Sequence, residues 1–205
     1  MKKLLVRIIK KIKKSFTKQN KIFQNRSQKI SQLREQKKSD VERWECNEQL
    51  FEDWNERTKI LGDYIHSHSR IIEFGAGNMF LKDYLKNYEI YTPSDVVKRF
   101  EETVVCDLNE TLTINLLDYN TVVFSGVLEY VYDVDKVFAQ FNTEIKQIVM
   151  SYCCSDIVKL TREKNGWLSD YTYAQLVQIF EKYNYKIEDY KEWRQQSIFN
   201  LIKKP

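Results

Sequence analysis

The stretch of this 205-residue chain with the clearest chemical signal is IIEFGAGNMF, residues 71–80. An apolar run ends in an acid, Glu73, and two glycines follow one residue apart, at Gly75 and Gly77. A Walker phosphate loop has four residues between its first glycine and a Gly-Lys pair, and this chain lacks that pattern. A dinucleotide loop needs a third glycine where Phe80 stands. Both phosphate loops are therefore disfavoured. A different cofactor loop and a tight turn between two core elements both stay open.

Two further acids follow apolar runs in chain order. YTPSD ends in Asp95, which is 22 residues past Glu73, and VVCDLN contains Asp107. A carboxylate accepts two hydroxyl protons, which suits a diol such as a ribose. Both acids are also ordinary residues for turns at strand ends, and Glu129 in VFSGVLEY would suit a helix start near the positive end of its dipole.

Taken together, these signals resemble the class I S-adenosylmethionine-dependent methyltransferases over roughly residues 40–205. EFGAGN at 73–78 is similar to motif I of that family, and SGVLEY at 125–130 is similar to its S-x-V-L-E-H turn. The resemblance implies S-adenosyl-L-methionine as cofactor, with Asp95 on the ribose hydroxyls, Asp107 on the adenine amino group and Leu108 against the ring. The implied cofactor-binding residues are Glu73, Gly75, Ala76, Gly77, Asn78, Asp95, Asp107, Leu108, Ser125 and Gly126.

The chain departs from the family pattern at two positions. Met79 stands where many members have a third glycine, so the following helix is expected to sit differently over the cofactor. Tyr130 replaces a histidine that some members use near the acceptor. A general base is needed only if the acceptor proton must leave early, because positioning alone accelerates an in-line displacement. We take Tyr130, Asp133 and Tyr152, on loops after the fourth and fifth strands, as catalytic candidates.

Short β-rich runs alternate with helical segments, which predicts an α/β fold: a Rossmann-like, mainly parallel sheet with helices on both faces. The predicted strands are RIIEF, EIYTPSD, ETVVCDLN, YNTVVFSG, QIVMSY, YKIEDYKEW and QSIFNLIK, the last two forming an antiparallel closing hairpin. A long helical period through Trp44, Trp54 and Tyr64 precedes the first strand. Thr172 and Gln175 fit a capping box, and Asn184 suits the left-handed end of that helix.

The charge is divided unevenly along the chain. Residues 1–38 carry 14 Lys/Arg and one acid, a net charge of +13, while the remaining 19 Lys/Arg and 28 Asp/Glu give residues 39–205 a net charge of −9. MKKLLVRIIKKIKKSF has its apolar residues on one helical face. We therefore predict a basic amphipathic helical extension or linker at 1–39 and a methyltransferase-like domain at 40–205. Four cysteines without a C-x-x-C pair and two histidines predict no metal site.

The basic extension has four open interpretations: it binds an anionic membrane surface, nucleic acid or a second subunit, or it is a solvated tail. The membrane is favoured, because aromatic residues are sparse in the extension and the domain is acidic. We expect a cytoplasmic protein, peripheral at the inner membrane face, that methylates a small-molecule, sugar or lipid-linked acceptor, as in cell-surface polysaccharide biosynthesis. Lys159, Arg162 and Lys164 could meet an acidic or phosphorylated acceptor, or lie in a solvated loop. The alternative function is a non-catalytic binding or scaffold protein recruited through its basic arm.

Overall fold

The computed structural model describes residues 27–205, apart from the side chain of Gln49. One seven-stranded sheet forms its centre, with strand order β3-β2-β1-β4-β5-β7-β6. The strands are β1 Ser69–Phe74, β2 Tyr88–Asp95, β3 Val104–Val105, β4 Thr121–Phe124, β5 Gln147–Tyr152, β6 Tyr185–Trp193 and β7 Gln196–Lys203. The helices are α1 at 27–36, α2 Val41–Glu45, α3 Asn55–Asp63, α4 Phe80–Tyr84, α5 Val134–Phe138, α6 Arg162–Asn165 and α7 Tyr173–Lys182.

Strands β1 to β5 pair in parallel, and β7 runs antiparallel between β5 and β6. The central strands β4 and β5 are buried along their whole length, because their side chains pack on both faces of the sheet. The predicted fold class, including the antiparallel closing hairpin, is confirmed.

The two faces of the sheet pack against different helices. On one face, Phe124 and Met150 join α5 and α7 in the main hydrophobic cluster. On the other face, Leu61 of α3 packs with Val149, and Leu81 of α4 packs with Val123. Alternating residues of one strand therefore pack into the cores on opposite faces of the sheet. This packing fixes the register of each strand and the position of its end.

The long helix predicted before β1 is broken in the structure. α2 ends at Glu45, two 3-10 turns follow at Asn47–Gln49 and Glu52–Trp54, and α3 begins at Asn55. The backbone is extended at Leu50 and at Phe51, between these pieces. The helical period misled the prediction here because part of the apolar set, Trp44, Leu50 and Trp54, lines a crevice instead of a single buried helix face.

Helix α1 lies in the part of the chain that the sequence assigned to the extension, and it contacts the body. Arg34 donates from Nη2 to the carbonyl oxygen of Trp167 at 2.7 Å, and the Tyr132 hydroxyl lies 2.7 Å from the carbonyl oxygens of both Leu33 and Lys38. The division between residues 39 and 40 stays a prediction. Residues 1–26, which hold most of the predicted amphipathic helix, lie outside the described residues.

The predicted helix signals near the C-terminus are confirmed. Thr172 and Gln175 form the reciprocal capping box at the start of α7, and Asn184 has a φ of 70° just beyond its end. In the part of the chain that the structure describes, no helix is both long and apolar enough to cross a membrane.

Candidate functional site

The main crevice of the molecule opens at the carboxyl ends of the parallel strands. From β1 the chain adds β2 and β3 on one side of the sheet, and then returns to add β4 and β5 on the other side. The loops after β1 and β4 therefore lead to opposite sides and leave a cleft between them. Ligands of open α/β sheets bind at such a switch point. The space between the walls of the crevice measures about 1080 Å³ and includes open solvent.

The loop after β1 needs its glycines for steric reasons. Gly75 has a φ of +71°, and a Cβ atom there would lie 2.3 Å from Cγ2 of Val127 in the loop after β4. Gly77 also has a positive φ, of +51°. Met79, which stands in place of a third glycine, takes a left-handed conformation too, with a φ of 59°, and precedes α4. The backbone of this loop can therefore approach a ligand closely.

Glu73 is a buried acid at the crevice. It belongs to β1, is 2% exposed, and accepts a hydrogen bond from the hydroxyl of Tyr91 on β2. Burial raises the pKa of Glu73 to about 8, and the negative charge of Asp95 adds to this, while the Tyr91 hydrogen bond acts in the opposite direction. A positive charge in the crevice would favour the ionised form.

Asp95 ends β2 and Asp107 follows β3, and both line the same crevice. Oδ2 of Asp95 accepts the backbone N–H of Gly77 at 3.0 Å. Oδ1 of Asp107 accepts the backbone N–H of Asn109 at 2.9 Å and the hydroxyl of Ser39 at 2.6 Å. These bonds fix both carboxylates, and each carboxylate keeps further lone pairs for a ligand.

The crevice brings together all ten residues predicted to bind a cofactor, on four neighbouring strand ends. Among the described residues, its charged lining consists of four carboxylates, Asp40, Glu73, Asp95 and Asp107, and one guanidinium, that of Arg57. Such a lining is complementary to a cation. Apolar and aromatic walls come mainly from the broken helical segment and the loops after β3 and β4: Trp44, Leu50, Phe51, Trp54, Val96, Leu108, Val127 and Tyr130.

Arg57 of α3 connects the helix to the loop after β4. Its Nε donates to Ser125 Oγ at 3.1 Å, its Nη2 to the Ser125 carbonyl oxygen at 2.9 Å, and its Nη1 to Gln196 Oε1 at 3.1 Å. A Cβ atom on Gly126 would lie 2.4 Å from Nη1, so only glycine leaves room for this guanidinium. Burial lowers the pKa of Arg57, yet an arginine stays charged at neutral pH.

The three predicted catalytic residues do not lie together. Tyr130 lines the crevice, edge-on to Trp44 with ring centroids 4.8 Å apart. Burial raises the pKa of its phenol, which makes it a hydrogen-bond donor at neutral pH and a poor base. Asp133 is an exposed N-cap of α5 that accepts the Lys136 N–H at 3.0 Å.

Tyr152 is fully buried, and its hydroxyl is 2.9 Å from Ser169 Oγ and accepts the Tyr171 N–H at 3.1 Å. Of the three candidates, only Tyr130 belongs to the crevice lining. Tyr152 is the last residue of β5 and is buried in the main hydrophobic cluster, whereas Asp133 lies before α5 and is exposed to solvent. A catalytic role for these two residues stays a prediction.

Sequence reasoning missed several lining residues before β1. Ser39, Asp40 and Trp44 reach the crevice because α1 and α2 fold over its mouth, and no spacing rule in the sequence marks them. Among residues 27–205, no group of three or more His, Cys, Asp or Glu side chains is placed to hold a metal ion, and all four cysteines are free thiols.

Known structures share this architecture. A chain in the complex of the Haloferax volcanii Trm112 methyltransferase activator with a methyltransferase matches 75% of this chain and 92% of its own, with a TM-score of 0.62 and 9% identity. The Burkholderia thailandensis 1,6-didemethyltoxoflavin-N1-methyltransferase, solved with 1,6-didemethyltoxoflavin and S-adenosylhomocysteine, matches 88% and 87%, with a TM-score of 0.56 and 14% identity.

The N-methyltransferase NodS from Bradyrhizobium japonicum WM9, solved with S-adenosylhomocysteine, matches 75% of this chain and 86% of its own, with a TM-score of 0.54 and 13% identity. No protein-family model matches the sequence, and no curated protein sequence matches it either. Likeness at this level of identity shows the fold, so the chain has the Rossmann-like methyltransferase fold that its motifs predicted.

Proposed function

We propose that this protein is an S-adenosyl-L-methionine-dependent methyltransferase whose cofactor lies in the crevice after β1, β2, β3 and β4. The observation that carries the proposal is the convergence of Glu73, Asp95 and Asp107, from three successive strands, beside the glycine loop. Two structures with the same fold contain S-adenosylhomocysteine. The residues of the crevice fit this cofactor because their net negative charge complements a sulfonium cation.

Each acid has a role that matches its place in the sheet. Asp95, held by the Gly77 N–H, is positioned to accept hydrogen bonds from ribose hydroxyls. Asp107 follows β3, with Leu108 beside it, and serves an adenine amino group and ring face. Glu73 lies deepest, and its carboxyl would be ionised by a nearby cation despite its raised pKa.

When bound, the cofactor supplies an activated methyl group for in-line displacement. The protein's own contribution is to hold that group against an acceptor and to exclude water, an effect worth up to about 7–11 kcal/mol in well-oriented systems. Trp44 and Tyr130 both line the crevice, and their rings contact each other edge-on. The Tyr130 phenol stays protonated and orients the acceptor by donating a hydrogen bond. Tyr130 therefore does not act as a general base.

We further propose a class of methyl acceptor and a location in the cell. The acceptors to try first are small molecules, among them sugar and lipid-linked compounds of cell-surface polysaccharide biosynthesis, because the site is concave with mainly apolar walls. The basic residues 1–38 would bring the protein to the inner membrane face, since each basic residue near an anionic surface adds about 1 kcal/mol. The neighbouring structures support neither the glycan nor the membrane part.

Turnover separates this function from that of a non-catalytic scaffold. The purified chain is incubated with S-adenosyl-L-methionine and a panel of sugar, lipid and phosphorylated acceptors, and S-adenosylhomocysteine is measured by mass spectrometry. An enzyme produces S-adenosylhomocysteine with at least one acceptor, in molar excess over protein, and loses this production in an Asp95→Asn variant. Cofactor binding without turnover over the whole panel would favour the scaffold instead.

A further inference from the structure

A second cavity adjoins the crevice and differs from it in charge. It has an empty volume of about 730 Å³, part of it open to solvent, and it shares Phe51, Trp54, Arg57, Gly126 and Tyr130 with the crevice. Its charged lining is Arg43, Arg57, Lys164 and Glu129, three bases against one acid. The crevice is acidic and this cavity is basic, so the two suit ligands of opposite charge.

Arg43 of α2 gives this cavity a cation that has no carboxylate partner among residues 27–205. Its Nη1 donates to the carbonyl oxygen of Asn165 at 2.6 Å, its Nη2 lies 3.4 Å from the Tyr130 hydroxyl, and its guanidinium stacks 4.6 Å from the Trp44 ring centroid. Within residues 27–205, no ion pair shorter than 4.0 Å involves Arg43. Its Nε is buried without a hydrogen-bond partner in this part of the chain.

Glu129 does not neutralise the cavity. Its Oε1 accepts the backbone N–H of Cys153 at 2.8 Å, and its carboxylate feels the charges of Arg57 and Arg162. Burial raises the pKa of Glu129. Because Arg43 and Arg57 both line the cavity, the described lining has an excess of positive charge whether or not Glu129 is ionised.

The walls of the cavity are aromatic and lead towards the crevice. Phe51 and Trp54 come from the broken helical segment, Tyr130 from the loop after β4, and Trp167 from the loop after α6. Because Phe51, Trp54 and Tyr130 also line the crevice, a molecule held in the cavity would place one end beside a cofactor in the crevice. Aromatic walls bury the apolar part of a ligand, while a guanidinium pairs with carboxylate or phosphate oxygens.

We propose that this second cavity is the methyl-acceptor site and that it takes a small molecule carrying a carboxylate or phosphate group, which Arg43 recognises. The role as acceptor site rests on the proposed methyltransferase function. Anion binding in the cavity does not, and it can be tested without turnover. Lys164, from the stretch in which the sequence suggested contact with an acidic acceptor, belongs to the same lining.

The test compares matched pairs of probes that differ in one anionic group. 4-Hydroxybenzoate is compared with 4-hydroxybenzyl alcohol, and glucose 1-phosphate with glucose, by saturation-transfer NMR and tryptophan fluorescence on the full chain, with and without saturating S-adenosylhomocysteine. We expect at least one anionic probe to bind at least tenfold more tightly than its uncharged partner in both conditions. Which pair shows the difference identifies a carboxylate or a phosphate as the preferred group.

Variants show whether Arg43 recognises the anion. Arg43→Gln should reduce the preference for the anionic probe about tenfold or more, Arg43→Lys should retain part of it, and S-adenosylhomocysteine affinity should stay unchanged in both. The matched control is Arg70→Gln at the amino end of β1, where the side chain bonds the Asp118 carbonyl oxygen. This control should keep the full preference.

Three results would overturn the proposal. The anionic probes fail to bind at millimolar concentration, or the uncharged partners bind as tightly, or S-adenosylhomocysteine displaces the anionic probe, which would assign the basic residues to the cofactor's own carboxylate. If the chain binds no S-adenosylhomocysteine but still prefers the anionic probe, the proposed function fails while the anion site stands.

Discussion

The backbone N–H of Gly77 donates a 3.0 Å hydrogen bond to Oδ2 of Asp95, and this bond ties the glycine loop after β1 to the end of β2. The two elements are neighbours in the sheet, since Phe74 pairs with Ser94. The bond orients the carboxylate and holds the loop in the left-handed conformation that it needs. One interaction therefore fixes two parts of the proposed cofactor site.

Asp95→Asn should weaken cofactor binding by about tenfold to a hundredfold. The amide keeps the shape of the side chain but loses the charge, and a hydrogen bond to a charged group contributes about 1.5–3 kcal/mol. Calorimetry with S-adenosylhomocysteine measures the change. Asp118→Asn removes an exposed acid just before β4, at the opposite edge of the sheet, and should leave the affinity unchanged. Equal affinities of both variants would remove Asp95 from the site.

Gly75→Ala should destabilise the protein more than Gly77→Ala. Both positions need a positive φ, which costs a non-glycine residue about 1–2 kcal/mol, but only at Gly75 does the new Cβ clash, at 2.3 Å from Val127. At Gly77 the nearest atom is 3.4 Å away, on Leu50. Thermal unfolding measures the difference, and adding Val127→Ala should recover part of the loss at Gly75 alone. Identical melting temperatures for the two glycine variants would contradict this packing.

Replacing Glu73 with Gln should make the protein less sensitive to pH. The pKa of Glu73 is about 8 in the folded protein and near 4.5 when exposed, so the folded state binds a proton that the unfolded state lacks between these values. The wild type therefore loses stability as the pH rises from 4.5 to 8, by up to about 1.4 kcal/mol per pH unit. Glu129, also with a raised pKa, contributes in the same direction.

Urea unfolding of wild type and Glu73→Gln at pH 5, 6, 7 and 8 measures this effect. The free energy of unfolding of the variant, minus that of the wild type, should increase at each step of increasing pH. A difference that stays constant over the whole series would show that Glu73 is ionised in the folded protein throughout.

Tyr132→Phe should loosen helix α1 from the body. The hydroxyl shared by the carbonyl oxygens of Leu33 and Lys38 is lost, at a cost of about 0.5–1.5 kcal/mol. Hydrogen exchange of a peptide covering residues 27–39 should become faster. Tyr84→Phe, whose hydroxyl donates to Asp63, is the matched control and should leave that peptide unchanged. Unchanged exchange in Tyr132→Phe would mean that α1 is held by other contacts.

Removing residues 1–26 should abolish binding to anionic liposomes. This truncation leaves α1, with its buried Ile30, in place, and it removes 10 of the 14 basic residues of the extension. In flotation, the full chain should float with anionic vesicles and stay in solution with neutral ones, because the attraction is electrostatic. If the full chain and the truncated chain float equally, or if neither floats, the membrane proposal fails and nucleic acid or a partner subunit becomes the next candidate.

The sequence predicted the strands and the crevice well because both depend on local signals. The glycine loop must follow a buried strand, and Asp95 and Asp107 end β-rich runs whose parallel pairing brings their carboxyl ends to one edge. The ten residues predicted at the cofactor site therefore share one cleft. Their assignment to a cofactor stays a prediction.

The remaining features depend on long-range packing, which periodicity does not report. The helix expected through Trp44 and Trp54 breaks because their side chains line the crevice. Asp133 and Tyr152 do not line the crevice, because Asp133 is an exposed N-cap and Tyr152, at the end of β5, is buried in the core. The basic cavity joins Arg43 of α2 with Lys164 of α6, which are 121 positions apart. No spacing pattern connects such residues before the chain folds.

Calorimetric titration of the full chain with S-adenosyl-L-methionine is the sharpest test of whether the crevice binds this cofactor. We expect one site per chain, with an affinity at least tenfold weaker after Asp95→Asn and unchanged after Asp118→Asn. Absence of binding heat at millimolar ligand, at two temperatures so that a zero enthalpy is excluded, would contradict the proposal that the crevice between Glu73, Asp95 and Asp107 holds this cofactor.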